Sequence, residues 1–322
     1  MKKKILVTYQ IPKEGLRELF EKFDVFYPEK KMLTHDDLCE LIPPYHGVLT
    51  VFTGNFPASV IEKAKNLLII SNYGAGFNNI DVGYATEKGI VVTNTPDVVT
   101  ESTAEIAFGL MLSVMRRISE CDRKLRKENG LKWGIMENLG HSLFVKNLGI
   151  IGMGKIGKAT ARRAIASGMK IFYHNRKRVP GELEELYDAQ YLSLNKLLAT
   201  SEILSIHCPL SQDTYHLIGR KELNRMKPGS FLINTARGAI VDENALVDAL
   251  KENTIAGAGL DVFENEPDIH PDLLKMDNVV LVPHIGTGTI ETRIEIGKSA
   301  SRNIIDFFEG RQPKYIINPE AR

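Results

Sequence analysis

Short apolar runs alternate with amphipathic stretches along the chain, the pattern of parallel strands joined by crossover helices. In the first third, Ile5–Thr8, Val25–Tyr27, Gly47–Phe52 and Leu67–Ser71 are expected as short buried strands. Helical segments separate them; within Pro57–Lys65, Val60, Ile61 and Ala64 fall on one face. A long helix follows, opened by Ser102-x-x-Glu105 in capping-box form and continuing from Ile106 through Ile118 to about Lys127. Its segment Ile106–Met115 is apolar nearly all round, which predicts a buried helix placed between two domains. A second series then begins. Asn147–Ile151 reads as a strand, Lys155–Ser167 as a helix stopped by Gly168, and Lys170–Tyr173 as the next strand. Ile203–His207, Ser230–Asn234, Ile255–Val262 and Asn278–Val282 are further strands, and a last helix spans about Glu291–Glu309. The expected fold is α/β, with two Rossmann-like doubly wound parallel-sheet domains in succession.

Composition narrows the function classes. With 322 residues, 43% hydrophobic and 25% charged, the chain can bury two ordinary globular cores. Forty-one basic residues against forty acidic ones leave a net charge of +1, which speaks against a nucleic-acid partner. Cys39, Cys121 and Cys208 are scattered without metal-like or redox-like spacing, which fits a reducing cytoplasm. Met1-Lys2-Lys3-Lys4 has the charge of a signal n-region, but Ile5–Gln10 is too short and polar for its apolar partner segment. Ile106–Met115 falls short of the roughly 18 apolar residues of a membrane span. The expectation is a cytoplasmic protein with no membrane partner and no metal, since His, Asp and Glu are not grouped at ligand spacing.

The turn Gly152-Met153-Gly154-Lys155-Ile156-Gly157 lies between the strand ending at Ile151 and the helix from Lys155. There Gly152 permits a tight turn, Gly154 lets the backbone approach a pyrophosphate, and Gly157 lets helix and strand pack closely. The helix N-terminus adds N–H groups and a positive dipole end for phosphates. No such turn comes after the first strand of the chain, so the first domain need not bind a nucleotide. NAD sites usually carry an acidic residue about 20 residues beyond the turn to hold the ribose 2′-OH. This chain instead reads Asn175-Arg176-Lys177-Arg178. A carboxylate would repel a 2′-phosphate, whereas Arg176 and Arg178 can pair with one. The expected cofactor is NADP(H) over NAD(H), which stays possible.

Three polar segments fall at the carboxyl ends of expected strands, where open α/β sheets bind ligands. They are Thr235-Ala236-Arg237-Gly238, Asp261 with Glu264-Asn265-Glu266-Pro267, and Pro283-His284-Ile285-Gly286. Arg237, Asp261, one of the two glutamates and His284 then converge on one crevice. That set suits a 2-keto acid. Arginine binds a carboxylate bidentately, histidine supplies a proton near neutral pH, and a carboxylate beside it favours imidazolium.

These segments, with Ile69-Ile70-Ser71-Asn72-Tyr73-Gly74-Ala75-Gly76, resemble the D-isomer-specific 2-hydroxyacid dehydrogenases over essentially the whole chain. The resemblance implies that Arg237 orients substrate, Glu266 supports the histidine and His284 is the acid/base; it thereby selects Glu266 over Glu264. It further implies cofactor contacts at Thr103, Cys208, Pro209, Thr214, Thr235, Ala236, Arg237, His284 and Gly286, with Asp261 near the nicotinamide carboxamide. Ala75 and Gly76 match backbone amides that grip the substrate carboxylate, with Phe52 on a neighbouring loop. The implied organisation is a flavodoxin-like substrate-binding domain of residues 1–99 and 290–322, interrupted by a dinucleotide-binding domain of residues 100–289, with closure excluding water. Asn175-Arg176 and Trp133 are similar to the NADPH-linked glyoxylate/hydroxypyruvate and 2-ketogluconate reductase branch, in which a tryptophan at the Trp133 position reaches the site of the partner subunit of a homodimer. Phe77-Asn78-Asn79 departs from the Asp-Asn pair common there. A different class, the corepressors called C-terminal binding proteins, shares the fold and the three catalytic positions.

Overall fold

A computed structural model describes residues 2–51, 54–127 and 132–321. Phe52, expected near the substrate, lies outside the described residues. The chain divides into two compact units, one of Met1–Val99 with Thr287–Arg322 and one of Thr100–Gly286.

The first unit is built on five parallel strands, β1 (Lys4–Val7), β2 (Asp24–Phe26), β3 (Gly47–Val51), β4 (Ile69–Tyr73) and β5 (Val91–Thr93). Their order is β2-β1-β3-β4-β5, the flavodoxin-like winding. Every residue of β3 and β4 is buried, as parallel strands covered on both faces must be. Val60, Ile61 and Ala64 are indeed the buried face of the helix expected over 57–65, which spans Ala58–Lys63. The last long helix, Ile290–Phe308, rejoins this unit, where Ser71 donates to the Ala300 carbonyl at 2.9 Å.

The second unit holds seven parallel strands: β6 (Asn147–Ile151), β7 (Lys170–His174), β8 (Ala189–Tyr191), β9 (Ile203–Ile206), β10 (Phe231–Asn234), β11 (Gly257–Leu260) and β12 (Val279–Leu281). The order β12-β11-β10-β9-β6-β7-β8 is the dinucleotide-binding winding with one strand added at the β12 edge. The chain reverses direction across the sheet between β6 and β9, where Ile151 pairs with Ile206. Ligands of such sheets bind beyond the carboxyl ends at that switch point.

The long helix differs from its expected form in two ways. It begins at Thr100, so Ser102 sits inside its first turn and the expected capping box does not open it. It also ends at Met115, and a second helix starts at Ile118. Arg117 has φ 56°, a left-handed conformation that no α-helix continues through. Ala107, Leu110, Met111 and Val114 are buried, in one cluster with β6, β7 and β10 residues of the same unit, such as Ile150, Ile171 and Ile233. Burial of this helix is therefore accounted for within the second unit. Among the described residues, no helix is long and apolar enough to cross a membrane, and no group of three or more His, Cys, Asp or Glu side chains could hold a metal ion.

Candidate active site

The glycine turn leaves β6 at the switch point. Gly152 has φ +97°, and a Cβ on it would lie 2.6 Å from the Cys208 nitrogen beyond β9. Both the conformation and the crowding exclude a side chain. Gly157 faces inward: its Cβ would meet the Gly152 carbonyl at 2.3 Å, so the helix Lys155–Ala166 packs against the turn only with glycine there. Gly154, the residue before that helix, is exposed, and a Cβ on it would meet nothing within 4 Å. Its open side is where a ligand can approach backbone, next to the amides of Lys155 and Ile156. At the end of β10, the Thr235 hydroxyl is buried without a hydrogen-bond partner. A buried orphan hydroxyl and an open helix N-terminus at the same strand ends fit a dinucleotide whose polar groups complete them.

Asn175, just past β7, accepts the Met153 amide at 2.7 Å. It thus braces the turn, a task the sequence alone does not reveal. Arg176 is exposed and has no hydrogen bond or ion pair with the described residues. Arg178 differs from expectation. Its Nε and Nη2 donate to both oxygens of Glu184 at 2.7 and 2.5 Å, so its guanidinium is already engaged. Past β9, Thr214 caps its own loop by donating to the Pro209 carbonyl at 2.7 Å. Burial pushes the Cys208 thiol up to about 11 and the neighbouring His207 imidazole down to about 4, so both stay neutral at pH 7. Sequence reasoning does not single out His207; its Nε2 lies 2.8 Å from the Ser205 hydroxyl.

The acid–base group assembles on the adjoining strands β10, β11 and β12. His284 follows β12 with φ 52°, and its amide donates to the Asp261 carbonyl at 2.9 Å. Its Nδ1 lies 2.7 Å from Glu266 Oε2, so Nδ1 carries a proton. The other Glu266 oxygen accepts the Phe263 amide at 3.0 Å. Burial raises the Glu266 carboxyl, but the His284 and Phe263 hydrogen bonds, with the Arg237 charge, outweigh it and hold the group below its ordinary value. Burial also lowers Arg237, opposed by the Glu266 charge. Arg237 stays cationic, as guanidinium does in proteins. Its loop is locked at Gly238, where a Cβ would fall 1.9 Å from the Phe263 carbonyl carbon, so the loops after β10 and β11 touch backbone to backbone.

The structure separates the two glutamates. Glu264 faces away from His284: its Oε1 accepts His216 Nε2 at 2.6 Å, and its amide donates to Glu243 at 3.0 Å. Asp261 is buried and accepts two amides of the His284 loop, Ile285 at 2.6 Å and Gly286 at 2.8 Å. Burial pushes Asp261 up to about 6 against those hydrogen bonds. Thr103, buried in the first turn of Thr100–Met115, would stand 3.4 Å from a Cβ at Gly286. Arg237, Asp261, Glu266, His284, Thr103 and the glycine turn therefore share one unit.

Ala75 and Gly76 lie in the other unit, in the turn after β4. Asn94 Nδ2 donates to the Ala75 carbonyl at 2.7 Å, and Asn72 Nδ2 to the Gly76 carbonyl at 2.7 Å. Neither the Ala75 nor the Gly76 amide donates to any described residue. With both carbonyls tied back, these successive amides stay open to an outside acceptor. Asn79 ties its loop to the end of β3, donating to the Val51 and Gly54 carbonyls at 3.0 and 3.1 Å.

Comparison with known proteins agrees with this chemistry. Residues 108–286 match the family described as "D-isomer specific 2-hydroxyacid dehydrogenase, NAD binding domain". A glyoxylate reductase of Thermococcus litoralis is 44% identical over 100% of this chain and 98% of its own length. The crystal structure of a glyoxylate reductase from Paecilomyes thermophila superposes with TM-score 0.89 at 36% identity, covering 100% of this chain and 99% of that one. An NADPH-dependent glyoxylate/hydroxypyruvate reductase from Sinorhizobium meliloti, solved with NADP and malonate, gives TM-score 0.85 at 32% identity, covering 100% and 98%. With its glycine turn, its two parallel-sheet units and its histidine–glutamate pair, the chain belongs to the D-isomer-specific 2-hydroxyacid dehydrogenases, oxidoreductases that use a nicotinamide dinucleotide.

Proposed function

We propose that this protein is an NADP(H)-preferring reductase of small 2-keto acids of the glyoxylate, hydroxypyruvate or 2-ketogluconate type, giving the D-2-hydroxy acid. The observation that carries the reaction is the His284–Glu266 pair at 2.7 Å, with the half-buried cationic Arg237 near enough for its charge to act on Glu266. The bound dinucleotide supplies the hydride to the keto carbon. Arg237 holds the substrate carboxylate and polarises the adjacent carbonyl. Glu266, held ionised, accepts from Nδ1 of His284 and fixes the ring, so Nε2 is the nitrogen that delivers a proton to the forming alkoxide. Asp261 fixes the His284 loop through its two amide bonds, and the Ala75 and Gly76 amides of the first unit are assigned to substrate on the family resemblance alone.

Cofactor preference is inferred from the loop after β7. The place usual for a carboxylate is taken by Asn175, and exposed Arg176 is the cation assigned to the 2′-phosphate. The relative from Sinorhizobium meliloti, described as NADPH-dependent, supports this reading. Steady-state assays of a 2-keto acid panel with both cofactors test it. A kcat/KM ratio of NADPH over NADH above about ten is expected; a ratio at or below one overturns the preference.

We also assign a homodimer. Trp133, Ile135 and Met136 are 91%, 94% and 77% exposed, with Leu139 and Phe144 exposed in the same segment. Such an apolar stretch marks a protein contact, and a second copy of this chain is the occupant the family resemblance implies. Sedimentation of wild type and Ile135→Glu checks it: a dimer weakened by the charge supports the assignment, and a wild-type monomer refutes it.

A further inference from the structure

The loop after β7 carries two arginines of unlike standing, and the difference traces to one carboxylate. Arg176 is exposed, without an ion pair to the described residues, whereas the Nε–Nη2 edge of Arg178 is bound by Glu184. The Glu184 side chain is only 12% exposed, so it is a fixed acceptor rather than a mobile surface charge. The buried Tyr173 of β7 holds it from the other side, its hydroxyl donating to Glu184 Oε1 at 2.5 Å. That same hydroxyl accepts the Val179 amide at 3.1 Å, which ties the cluster to the backbone just beyond Arg178. The Arg178 hydrogen bond, aided by that of Tyr173, holds Glu184 down at about 2, so it is an anion at any working pH.

The loop begins at Asn175, which is bonded to the glycine turn, so all of this stands on the sheet edge where a ribose 2′-substituent would lie. A 2′-phosphate pairs with a guanidinium edge, and Glu184 takes the Nε–Nη2 edge while setting its own negative charge against a second anion. We propose that Glu184 is a specificity-determining residue that withholds Arg178 from the cofactor and so limits how strongly NADP(H) is favoured over NAD(H). This rests on the assignment of the loop to the 2′-phosphate made above, but its test reads a change in preference, not the preference itself.

The test is a double-mutant cycle on the cofactor ratio. Glu184→Gln keeps an acceptor for Tyr173 while removing the charge that holds Arg178. It is expected to raise the kcat/KM ratio of NADPH over NADH about tenfold, the scale of one charge-assisted hydrogen bond. Arg178→Ala on the native background is expected to move the ratio less than twofold, because Arg178 is already occupied. Combined, Glu184→Gln/Arg178→Ala should return the ratio to that of Arg178→Ala alone. An unchanged ratio in Glu184→Gln overturns the proposal, and so does a collapse of the ratio in Arg178→Ala alone, since Arg178 would then serve the phosphate without release. Thermal unfolding of each variant separates a folding defect from these outcomes, with Arg178→Ala providing an independent arm. A wild type that favours NADH, yet shifts as described, sinks the NADP(H) preference and leaves this inference standing.

Discussion

The two units are both doubly wound parallel sheets and differ in the turns that leave their first strands. After β1 the chain closes on itself. Gln10 Nε2 donates to the Glu29 carbonyl at 2.7 Å, the Tyr27 hydroxyl to the Ile11 carbonyl at 2.7 Å, and the Lys13 ammonium sits 4.8 Å from the Tyr27 ring centre. After β6 the chain makes a glycine turn instead, and its helix starts at an exposed backbone. A parallel sheet thus provides a crevice, but the residues of one turn decide whether it is filled or open. Where the first unit does offer backbone amides with no described acceptor, it does so after β4, at Ala75 and Gly76.

The largest expected effect lies in the turn itself. Gly152→Val forces a β-branched residue to φ +97° and drives its Cβ toward the Cys208 backbone. NADPH affinity, measured by titration calorimetry, should fall at least about a hundredfold, whereas Gln10→Ala at the matching place of the first unit should change it less than twofold. Equal losses from both would dissolve the distinction between the units.

Smaller effects sharpen it. Arg237→Lys replaces a bidentate fork with a point charge and should raise the keto-acid KM about tenfold with some loss of kcat. Asn94→Ala releases the Ala75 carbonyl, so KM should rise about fivefold while NADPH affinity holds; a drop in NADPH affinity instead would tie the first unit to the cofactor. The smallest effect concerns pH. Burial raises Asp261 in the folded protein, so the fold binds that proton more tightly than the unfolded chain does. Its contribution to stability therefore falls as pH rises from about 4 to about 6 and is flat above that. Asp261→Asn should flatten the unfolding midpoint over this window; an unchanged slope assigns it to other groups.

Much of this fold is legible in the sequence because its strands are uniformly apolar and its turns are marked by glycine. The strand Asn147–Ile151 matches its expected bounds to the residue, and the segments carrying Arg237, Asp261 and His284 follow strand ends as expected. The edge strands β5 and β8 are not legible: each has three residues, too few to show a period. The helix break at Arg117 carries no glycine or proline to announce it. Spacing leaves Glu264 and Glu266 equivalent, because the group that separates them is His216, which is 48 residues from Glu264 in the chain. Glu184 does leave a signal, since an acidic residue six positions after Arg178 is within reach of it. Asn72 and Asn94 leave none, since a side chain that ties back a loop carbonyl resembles any loop asparagine.

The measurement closest to the central claim compares wild type and His284→Ala in glyoxylate-dependent NADPH oxidation, with NADPH affinity determined on both. Wild type should oxidise NADPH. His284→Ala should bind NADPH within about threefold of wild type yet turn over roughly a hundredfold to ten-thousandfold more slowly, the range of a lost general acid. Wild-type turnover in His284→Ala, or loss of turnover together with NADPH binding, would contradict a second unit in which the glycine turn binds and the histidine reacts.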